Sequence, residues 1–573
     1  MLTAHACWLT LATIRGLSMQ LRDSAPFPEG ATSFVPGDFG TLYQSLERAV
    51  ARYPDNDAYV VPAMPERPYH PDGATFTWKQ TWDEVHKRIG WYRAGGYGPG
   101  HRVAILFDQR PEFVFHHFAL NALGCTVAPI SPDYRLEEIA YLLEHSEAVV
   151  ALAIESRFDD VRAAATSFSP SPPVLRFDAL DKPPPAPRFP ARNQTPGATS
   201  EAGLIYTSGT TGRPKGCVLT NEYFHTWGSW FASRGGYLKL RCGKERLFNP
   251  LPLHHANALS ISLPTMLITG GAFVFPDRFH ASTWWRDVVS CGVTAVQFQG
   301  VIPNLLMKLP ETPEEKQHKV RFALCAGIEP NQHEPFERRF GFPLVEMWAM
   351  SETGRMTTAH REPRFVGSRA IGRSEPGMEL RAVDEEGNDV PLGVPGELVL
   401  RSTAAHPRKG FFSGYLKNPE ATEEAWRGGW FRTGDAVTKD ETGMFYFVER
   451  RKNLIRRSGE NIAAAEVEAV IVDHNRVKQA AVIAVPDELR EEEVMACVVP
   501  ADPNETSEAF ANELLDWTAS QLAYFKAPGY VLFVESLPTT SSQKVHKLRI
   551  FPPGTDPRTV SGVFDLRARK KRT

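Results

Sequence analysis

The sequence has few features of secreted, membrane or nucleic-acid-binding proteins. Only 7 of its 573 residues are cysteines, and none forms a CxxC pair, which argues against a disulfide framework and a structural zinc site. The 64 Lys and Arg residues are interspersed with 67 Asp and Glu residues, so no net field attracts nucleic acid or an anionic membrane. No apolar run approaches the roughly 18 residues of a membrane span. We therefore expect small-molecule partners, no nucleic acid, no membrane span and a cytoplasmic location.

The length predicts more than one domain, because single hydrophobic cores stop growing near about 250 to 300 residues. From Arg102 onward, strand-like and helix-like segments alternate as RVAILF, PEFVFHHFALNALG, TVAPI and RLEEIAYLLEHS. This order is typical of an α/β fold in which helices cover parallel sheets. Residues 1–18 are interpreted as an N-terminal extension, with Met19 as the alternative start.

A second unit begins near Arg450. Before it, GELVLR and MFYFVER predict strands of a distorted antiparallel, barrel-like unit. After it, GENIAAAEVEAVIVDH predicts a helix, and QAAVIAV and EVMACVV predict strands, which suffice for a small α+β domain. We therefore predict a large N-terminal domain over residues 19–451, a small mobile domain over 452–562 and a basic, solvated tail over 563–573.

The segment LIYTSGTTGRPKGCVLT, residues 204–220, predicts a phosphate-binding loop. Glycines let a backbone wrap closely around phosphate, while hydroxyl, amide and ammonium groups donate to its oxygens. The spacing differs from the GxxxxGK[ST] loop, and an ordinary polar turn is the alternative. The candidate phosphate-binding residues are Thr207, Ser208, Gly209, Thr210, Thr211, Gly212 and Lys215.

Within this segment, YTSGTTGRPKG resembles the signature loop of the adenylate-forming superfamily, which includes acyl-CoA synthetases, peptide-synthetase adenylation domains and firefly-type luciferases. Other blocks that resemble this superfamily follow in its order: PLPLHHANAL, EMWAMSETG, WFRTGD, VERRKNLIRRSGENI and LPTTSSQKVHKLRI. The resemblance extends from about Leu42 to Leu548. It implies an ATP-binding large domain and a small domain that moves about a hinge.

The resemblance also implies roles for residues around the nucleotide. Trp348 would stack on adenine, Ser351 would belong to the ATP site, and Glu352 together with Thr207 would hold Mg²⁺. Ala349 stands where the superfamily has glycine, which adds a methyl group beside the acyl pocket.

Four further positions are assigned by the same resemblance. Asp435 would accept hydrogen bonds from the ribose hydroxyls, and Arg450 would bind ribose or phosphate. Lys452 would be the hinge, and Lys544 would be the catalytic lysine that reaches into the site during adenylation. After the domain rotation, the segment Gly459, Glu460 and Asn461 would approach the acyl-adenylate and the entering coenzyme A.

For the acyl group, the resemblance places His255 against the substrate carboxylate, with packing as the alternative role. Trp227 and Trp230 would shorten the pocket unless they are plain core, and His225 or Arg234 would meet a second polar group. The predicted substrate-binding residues are His225, Trp230, Arg234, His255, Gly300, Gly327 and Ala349.

Together these assignments imply an ATP-dependent carboxylic acid:CoA ligase that forms an acyl-adenylate and pyrophosphate, then acyl-CoA and AMP. The implied cofactors are ATP, Mg²⁺ and coenzyme A, and the acid is expected to be small or medium-sized with a second polar group. One alternative is an enzyme that loads a separate carrier protein. Another is a non-catalytic nucleotide-binding homologue, and a homodimer is left open.

Overall fold

The computed structural model describes residues 39–207, 213–450, 454–538, 545, 547–552 and 554–571. Several helices begin at a threonine: the hydroxyls of Thr41, Thr77 and Thr220 each accept a hydrogen bond from the backbone three residues later. The α-helices of these residues are Leu42–Arg52, Trp78–Ala94, Pro111–Ala122, Leu136–Ser146, Phe158–Ala165, Asn221–Ala232, Leu263–Thr269, Trp284–Ser290, Val301–Lys308, Pro330–Phe340, Pro419–Ala425, Ala464–Val472 and Glu508–Gln521.

An eight-stranded sheet forms the centre of the large domain. Its six inner strands pair in parallel, and the strand at each edge is antiparallel to its neighbour. The strands lie in the spatial order Met356–Thr358, Leu344–Ala349, Phe322–Ala326, Ala295–Gln299, Arg246–Phe248, Ala272–Val274, Asp57–Val61 and Ala74–Thr77.

A second sheet of the large domain has seven strands. Its spatial order is Gly414–Tyr415, Lys215–Thr220, Glu201–Thr207, Thr126–Pro129, Arg102–Leu106, Val150–Ala153 and Val174–Arg176. The last five pair in parallel, which confirms the alternating pattern predicted from Arg102 onward. The side chains of the strands Thr126–Pro129, Arg102–Leu106 and Val150–Ala153 are nearly all buried, as expected where helices cover both faces of a sheet.

The third sheet is antiparallel and curled, as the sequence predicts. It consists of Ala370–Gly372, Phe445–Arg450, Phe431–Lys439, Gly396–Arg401 and Glu379–Val383, in spatial order. The stretch KDETG joins two neighbouring strands of this sheet, and Lys439 pairs with Phe445 across the turn. None of the described helices is long and apolar enough to cross a membrane.

The small domain is built on a mixed sheet. Its strands are Glu460–Ala463, Leu454–Arg457, Glu491–Pro500, Tyr530–Phe533 and Val563–Asp565 in spatial order, with Val477–Asp487 paired to Glu491–Pro500. The helices Ala464–Val472 and Glu508–Gln521 supply apolar side chains to its core. This arrangement matches the predicted α+β fold.

The C-terminal residues differ from the predicted solvated tail. The strand Val563–Asp565 pairs with Tyr530–Phe533, so the sheet of the small domain extends past the predicted boundary at residue 562. Lys570 is buried, and its ammonium contacts the Glu493 carboxylate. The structure therefore differs from a fully solvated tail at Leu566 and Lys570, which are buried, whereas Arg567, Ala568, Arg569 and Lys571 are exposed.

Candidate active site

Three neighbouring parallel strands end side by side at a cavity of about 220 Å³. They are Ala295–Gln299, Phe322–Ala326 and Leu344–Ala349, and Gln299 lies opposite Ala326 in the pairing register. Ligands of such sheets bind at the carboxyl ends of the strands. The strand residues that line the cavity are Gln299, Ala326, Met347, Trp348 and Ala349.

The base of the predicted phosphate loop forms one corner of this cavity. Thr207 and Lys215 lie opposite each other in an antiparallel pair, at the two ends of the loop. The Glu352 carboxylate accepts a hydrogen bond from the Tyr415 hydroxyl 2.8 Å away, and the Lys215 ammonium lies 4.9 Å from the centre of the Tyr415 ring. Burial, and then Glu352, raise the pKa of Tyr415, so its hydroxyl remains a donor. A hydroxyl, a cation and a carboxylate thus meet in a corner suited to a polyphosphate and a divalent cation.

Next to this corner, Trp348 is held by Asp435. The indole N–H donates to Oδ2 of Asp435 over 2.8 Å, and both side chains are buried. Because Trp348 belongs to the eight-stranded sheet and Asp435 to the antiparallel sheet, the bond joins two layers of the large domain. An indole face and a two-oxygen acceptor at this spacing can receive an adenine ring and the hydroxyls of its ribose. The backbone of Arg450 pairs with that of Asp435.

The small domain closes the opposite side of the cavity with an ion pair. Nε2 of His255, in the large domain, lies 3.0 Å from Oε2 of Glu460, in the small domain. Burial opposes the charge on His255, but Glu460 outweighs it and raises the pKa of the imidazole. Burial also opposes the charge on Glu460, but the His255 imidazolium outweighs it and lowers the pKa of the Glu460 carboxyl group. When His255 is protonated, this ion pair joins the small domain to the large domain at the cavity.

Gly459 makes a close approach between the two domains. Its φ angle is +89°, in the left-handed region that favours glycine. A Cβ at this position would lie 2.4 Å from Oε1 of Gln299, which is closer than two nonbonded atoms can approach. A larger residue would therefore require a strained backbone at this position and a shift of the end of the Gln299 side chain.

A larger cleft adjoins the cavity and separates the two domains. It has a volume of about 1040 Å³ and shares Leu251, Pro252, Ser458 and Glu460 with the smaller cavity. Its lining residues come from both domains and include Pro132, His254 and Arg286 of the large domain and Arg457, Arg490 and Tyr524 of the small domain. A second substrate can therefore reach the site between the domains.

Most predicted site residues that the structure describes lie around the smaller cavity. They are Thr207, Lys215, His255, Gly327, Trp348, Ala349, Ser351, Glu352, Asp435, Gly459, Glu460 and Asn461. Six other predicted residues lie outside the described part of the chain, namely Ser208, Gly209, Thr210, Thr211, Gly212 and Lys452. Lys544 also lies outside it, as does the side chain of Arg450.

Three predicted substrate residues are instead engaged in the interior of the large domain. The His225 ring is hydrogen-bonded to the Ser45 hydroxyl over 2.8 Å, and burial lowers its pKa to about 3, so it is neutral. The Trp230 indole donates to the backbone carbonyl of Met356 over 2.8 Å. Arg234 forms an ion pair with Glu375. The structure therefore gives these side chains partners other than a substrate, whereas Trp227, one turn before Trp230, lines the cavity.

Gly300 packs closely against the backbone of Gly327, which lines the cavity. A Cβ there would lie 1.8 Å from the backbone oxygen of Gly327, so a larger residue would displace the strand end that carries Gly327. The sequence analysis missed Tyr415, which lines the cavity. Tyr415 does not belong to a block with a recognisable chemical pattern, and its strand pairing with Cys217 brings it to Glu352.

Comparisons with known proteins agree with this arrangement. Residues 46–416 match the sequence model of the AMP-binding enzyme family. The chain belongs to the AMP-binding enzyme family. Residues 466–544 match the model of the AMP-binding enzyme C-terminal domain, so the two matches follow the large and small domains.

Curated relatives of this AMP-binding enzyme include acid–CoA ligases. The crotonobetaine/carnitine–CoA ligase of Proteus mirabilis is 29% identical over 82% of this chain and 92% of its own length. The sulfoacetate–CoA ligase of Cupriavidus necator is 31% identical over 80% of this chain and 89% of its own length. Among solved structures, the o-succinylbenzoate CoA synthetase of Bacillus subtilis with a bound product analogue superimposes with a TM-score of 0.74 at 24% identity, covering 87% of this chain and 96% of that one. That likeness shows the shared fold.

Proposed function

We propose that this enzyme, an AMP-forming acid–CoA ligase by its family and its relatives, carries out both half-reactions in the cavity between its two domains. The observation that carries the proposal is the meeting of two sets of residues around one cavity. Thr207, Lys215, Trp348, Glu352 and Asp435 come from the large domain, and the Gly459 to Asn461 segment comes from the small domain.

In the first half-reaction, a carboxylate oxygen attacks the α-phosphorus of ATP, the bond to the β-phosphate oxygen breaks, and pyrophosphate leaves. Trp348 and Asp435 orient the nucleoside, while Lys215 and the phosphate loop spread the charge of the phosphates. Lys544 is proposed as the mobile cation of this step, delivered by the small domain in a second orientation about Lys452. Arg450 is proposed to contact the ribose or phosphate.

The corner at Glu352 suits Mg²⁺. It brings a carboxylate and the Thr207 hydroxyl to the cavity wall, and hard oxygen ligands of this kind are the ones that Mg²⁺ prefers. We infer that Glu352 and Thr207 hold the ion, which when bound would neutralise charge on the triphosphate. Tyr415 keeps the Glu352 carboxylate directed into the cavity by its hydrogen bond.

In the second half-reaction, the thiol sulfur attacks the acyl carbon and AMP leaves. The cleft of about 1040 Å³ offers the thiol a route that ends beside Glu460 and His255. The orientation of the small domain described here, with Glu460 paired to His255, fits this step. A serine or cysteine nucleophile is unnecessary because AMP is already a good leaving group.

The acid is proposed to be small, with a second polar or charged group. The relatives named above act on crotonobetaine or carnitine and on sulfoacetate, which are short acids with a second charge. The cavity of about 220 Å³ is lined by Trp227, whose ring limits the length of a bound chain. We also propose a cytoplasmic location, since the six cysteines among the described residues are all free thiols.

Two assays test this function. Pyrophosphate release should require an acid, and a panel from acetate to dodecanoate, with dicarboxylic, hydroxy, betaine, sulfonated and aryl acids, should show highest kcat/KM for a short polar member. Coenzyme A should then accept the acyl group. Thioester formed only on a purified acyl carrier protein would contradict the choice of acceptor, and no pyrophosphate release with any acid would contradict the enzymatic function.

A further inference from the structure

Three side chains that can bind a metal ion meet where the two domains touch. His254 and His255 are consecutive residues of the large domain, and Glu460 is the first residue of a small-domain strand, Glu460–Ala463. One ligand atom of each side chain lies within 4.8 Å of the other two. Among the residues that the structure describes, no second group of His, Cys, Asp and Glu side chains is arranged in this way. The three residues are therefore a candidate metal site.

The distances between the three side chains fit a small divalent ion. Zinc binds imidazole nitrogens and carboxylate oxygens at about 2.0 to 2.2 Å, so two ligands of a tetrahedral ion lie about 3.3 Å apart. Nε2 of His255 and Oε2 of Glu460 are 3.0 Å apart. The centroids of the His254 and His255 rings are 4.5 Å apart, so the second imidazole is close enough to complete the set by a rotation of its side chain.

The types of ligand favour zinc over magnesium. Two imidazoles and one carboxylate are the three protein ligands of many zinc sites that keep a fourth position open. Imidazole also suits Cu²⁺ and Ni²⁺, whereas Mg²⁺ prefers oxygen ligands and water. The side chains of His255 and Glu460 are 31% and 21% exposed, so an ion can reach them from solvent. The Mg²⁺ that accompanies ATP should therefore not compete for this site.

The site lies at the junction of the smaller cavity and the larger cleft. His255 lines the cavity, His254 lines the cleft, and Glu460 lines both. Because two ligands come from the large domain and one from the small domain, the set is complete only when the domains have the orientation described here. An ion that binds one of two orientations stabilises that orientation according to its concentration and affinity.

We propose that His254, His255 and Glu460 form an inhibitory zinc site, in which the ion ties the two domains together and thereby slows adenylation. Zinc binding follows from the three ligands alone. The inhibitory effect rests on the proposed function, because adenylation would require the small domain to rotate about Lys452 and deliver Lys544. A zinc ion bound to Glu460 and to both histidines opposes that rotation.

Calorimetric titration of the full-length enzyme with Zn²⁺, in buffer that contains Mg²⁺ and no substrate, tests the site. Loss of a group that only hydrogen-bonds a ligand weakens metal binding about 10- to 100-fold, so loss of a ligand should cost at least as much. We therefore expect one zinc ion per wild-type chain and an affinity at least about tenfold lower in His254→Gln. Glu460→Gln should have a similar effect, which would identify the ligand from the small domain. His406→Gln is the matched control, because His406 is an exposed histidine outside the site.

An equal zinc affinity of the wild type, His254→Gln and Glu460→Gln would overturn the proposed site. The visible absorption of bound Co²⁺ provides a second measurement, since the spectrum of a four-coordinate ion should appear with the wild type and His406→Gln and be lost in His254→Gln. A Co²⁺ spectrum that is the same in all variants would likewise overturn the site.

Pyrophosphate release at a series of buffered free Zn²⁺ concentrations tests the inhibition, and it needs no thiol that would bind zinc. Each variant is compared with its own rate without zinc. The Zn²⁺ concentration for half-maximal inhibition should match the calorimetric Kd in the wild type and rise at least about tenfold in His254→Gln. Zinc binding without inhibition, or equal inhibition of both enzymes, would overturn the inhibitory role. Absence of pyrophosphate release from the zinc-free wild type with every acid would instead contradict the proposed function, while calorimetry would still decide whether the site exists.

Discussion

Glu138→Gln is expected to slow thioester formation without slowing adenylation. Glu138 belongs to the large domain, and its Oε1 lies 2.6 Å from Nζ of Lys526, in the small domain. The same ammonium lies 2.9 Å from Oε1 of Glu466, also in the small domain. The side chains of Lys526, Glu138 and Glu466 are 4%, 7% and 10% exposed, so this interdomain ion pair is shielded from solvent. Glutamine keeps the shape of the side chain and removes its charge.

The free energy lost in this variant depends on the acidic partner that Lys526 keeps. Removing the only partner of a buried charge costs about 3 to 5 kcal/mol, but Glu466 still compensates Lys526 in the variant. The loss is therefore closer to that of one charge-assisted hydrogen bond, about 1.5 to 3 kcal/mol. At 1.4 kcal/mol per factor of ten, the equilibrium constant for the domain orientation described here falls roughly 10- to 100-fold. Thioester formation should slow by up to that factor if this orientation performs it.

The assay separates the two half-reactions. Pyrophosphate release reports adenylation, and a single turnover from a supplied acyl-adenylate with saturating coenzyme A reports thioester formation. Glu466→Gln is the matched control, because Glu466 and Lys526 belong to the same domain and move together. Equal slowing of both half-reactions by Glu138→Gln would refute the reasoning, as would an equal effect of Glu466→Gln on thioester formation alone.

Three further outcomes are expected. Lys544→Ala should slow adenylation about 100- to 1000-fold and leave thioester formation from a supplied acyl-adenylate intact, as measured by the same two assays. Glu352→Gln should raise the Mg²⁺ concentration needed for half-maximal pyrophosphate release about tenfold or more, while Tyr415→Phe should have a smaller effect. Although burial opposes its charge, Glu460 raises the pKa of His255, so this interdomain ion pair is complete below the ordinary value of about 6.5 and is lost as the pH rises through the raised pKa. Small-angle scattering should therefore detect a change of domain arrangement on alkalinisation, and His255→Gln should abolish it.

The nucleotide side of the site could be predicted because its chemistry restricts the residue types and places them in contiguous blocks. Thr207, Lys215, Trp348, Glu352 and Asp435 were assigned from such blocks, and all line one cavity. Their specific roles remain predictions. Tyr415 could not be found in this way, since its role depends on a two-residue edge strand that pairs across the sheet.

The residues predicted to surround the acyl group were harder to place from the sequence than those around the nucleotide. Nearly every residue of helix Asn221–Ala232 is buried, so the helix has no polar face that would reveal its orientation. The sequence therefore could not distinguish Trp227, which lines the cavity, from Trp230, which packs in the interior. The same limit applies to the C-terminal segment, because a local run of basic residues gives no information about acids more than 70 residues away.

The strand Val563–Asp565 affects the order in which the protein can fold during synthesis. All strands of the three large-domain sheets precede residue 451, so that domain can complete its sheets while later residues are still being added. The small domain completes its sheet later, because its edge strand begins about 30 residues after Phe533, the last residue of the other strands, and Lys570, a partner of Glu493, follows that strand. Until then, the strand Tyr530–Phe533 exposes an unpaired edge. Expression as a fragment that stops near residue 550 should consequently favour aggregation through the small domain.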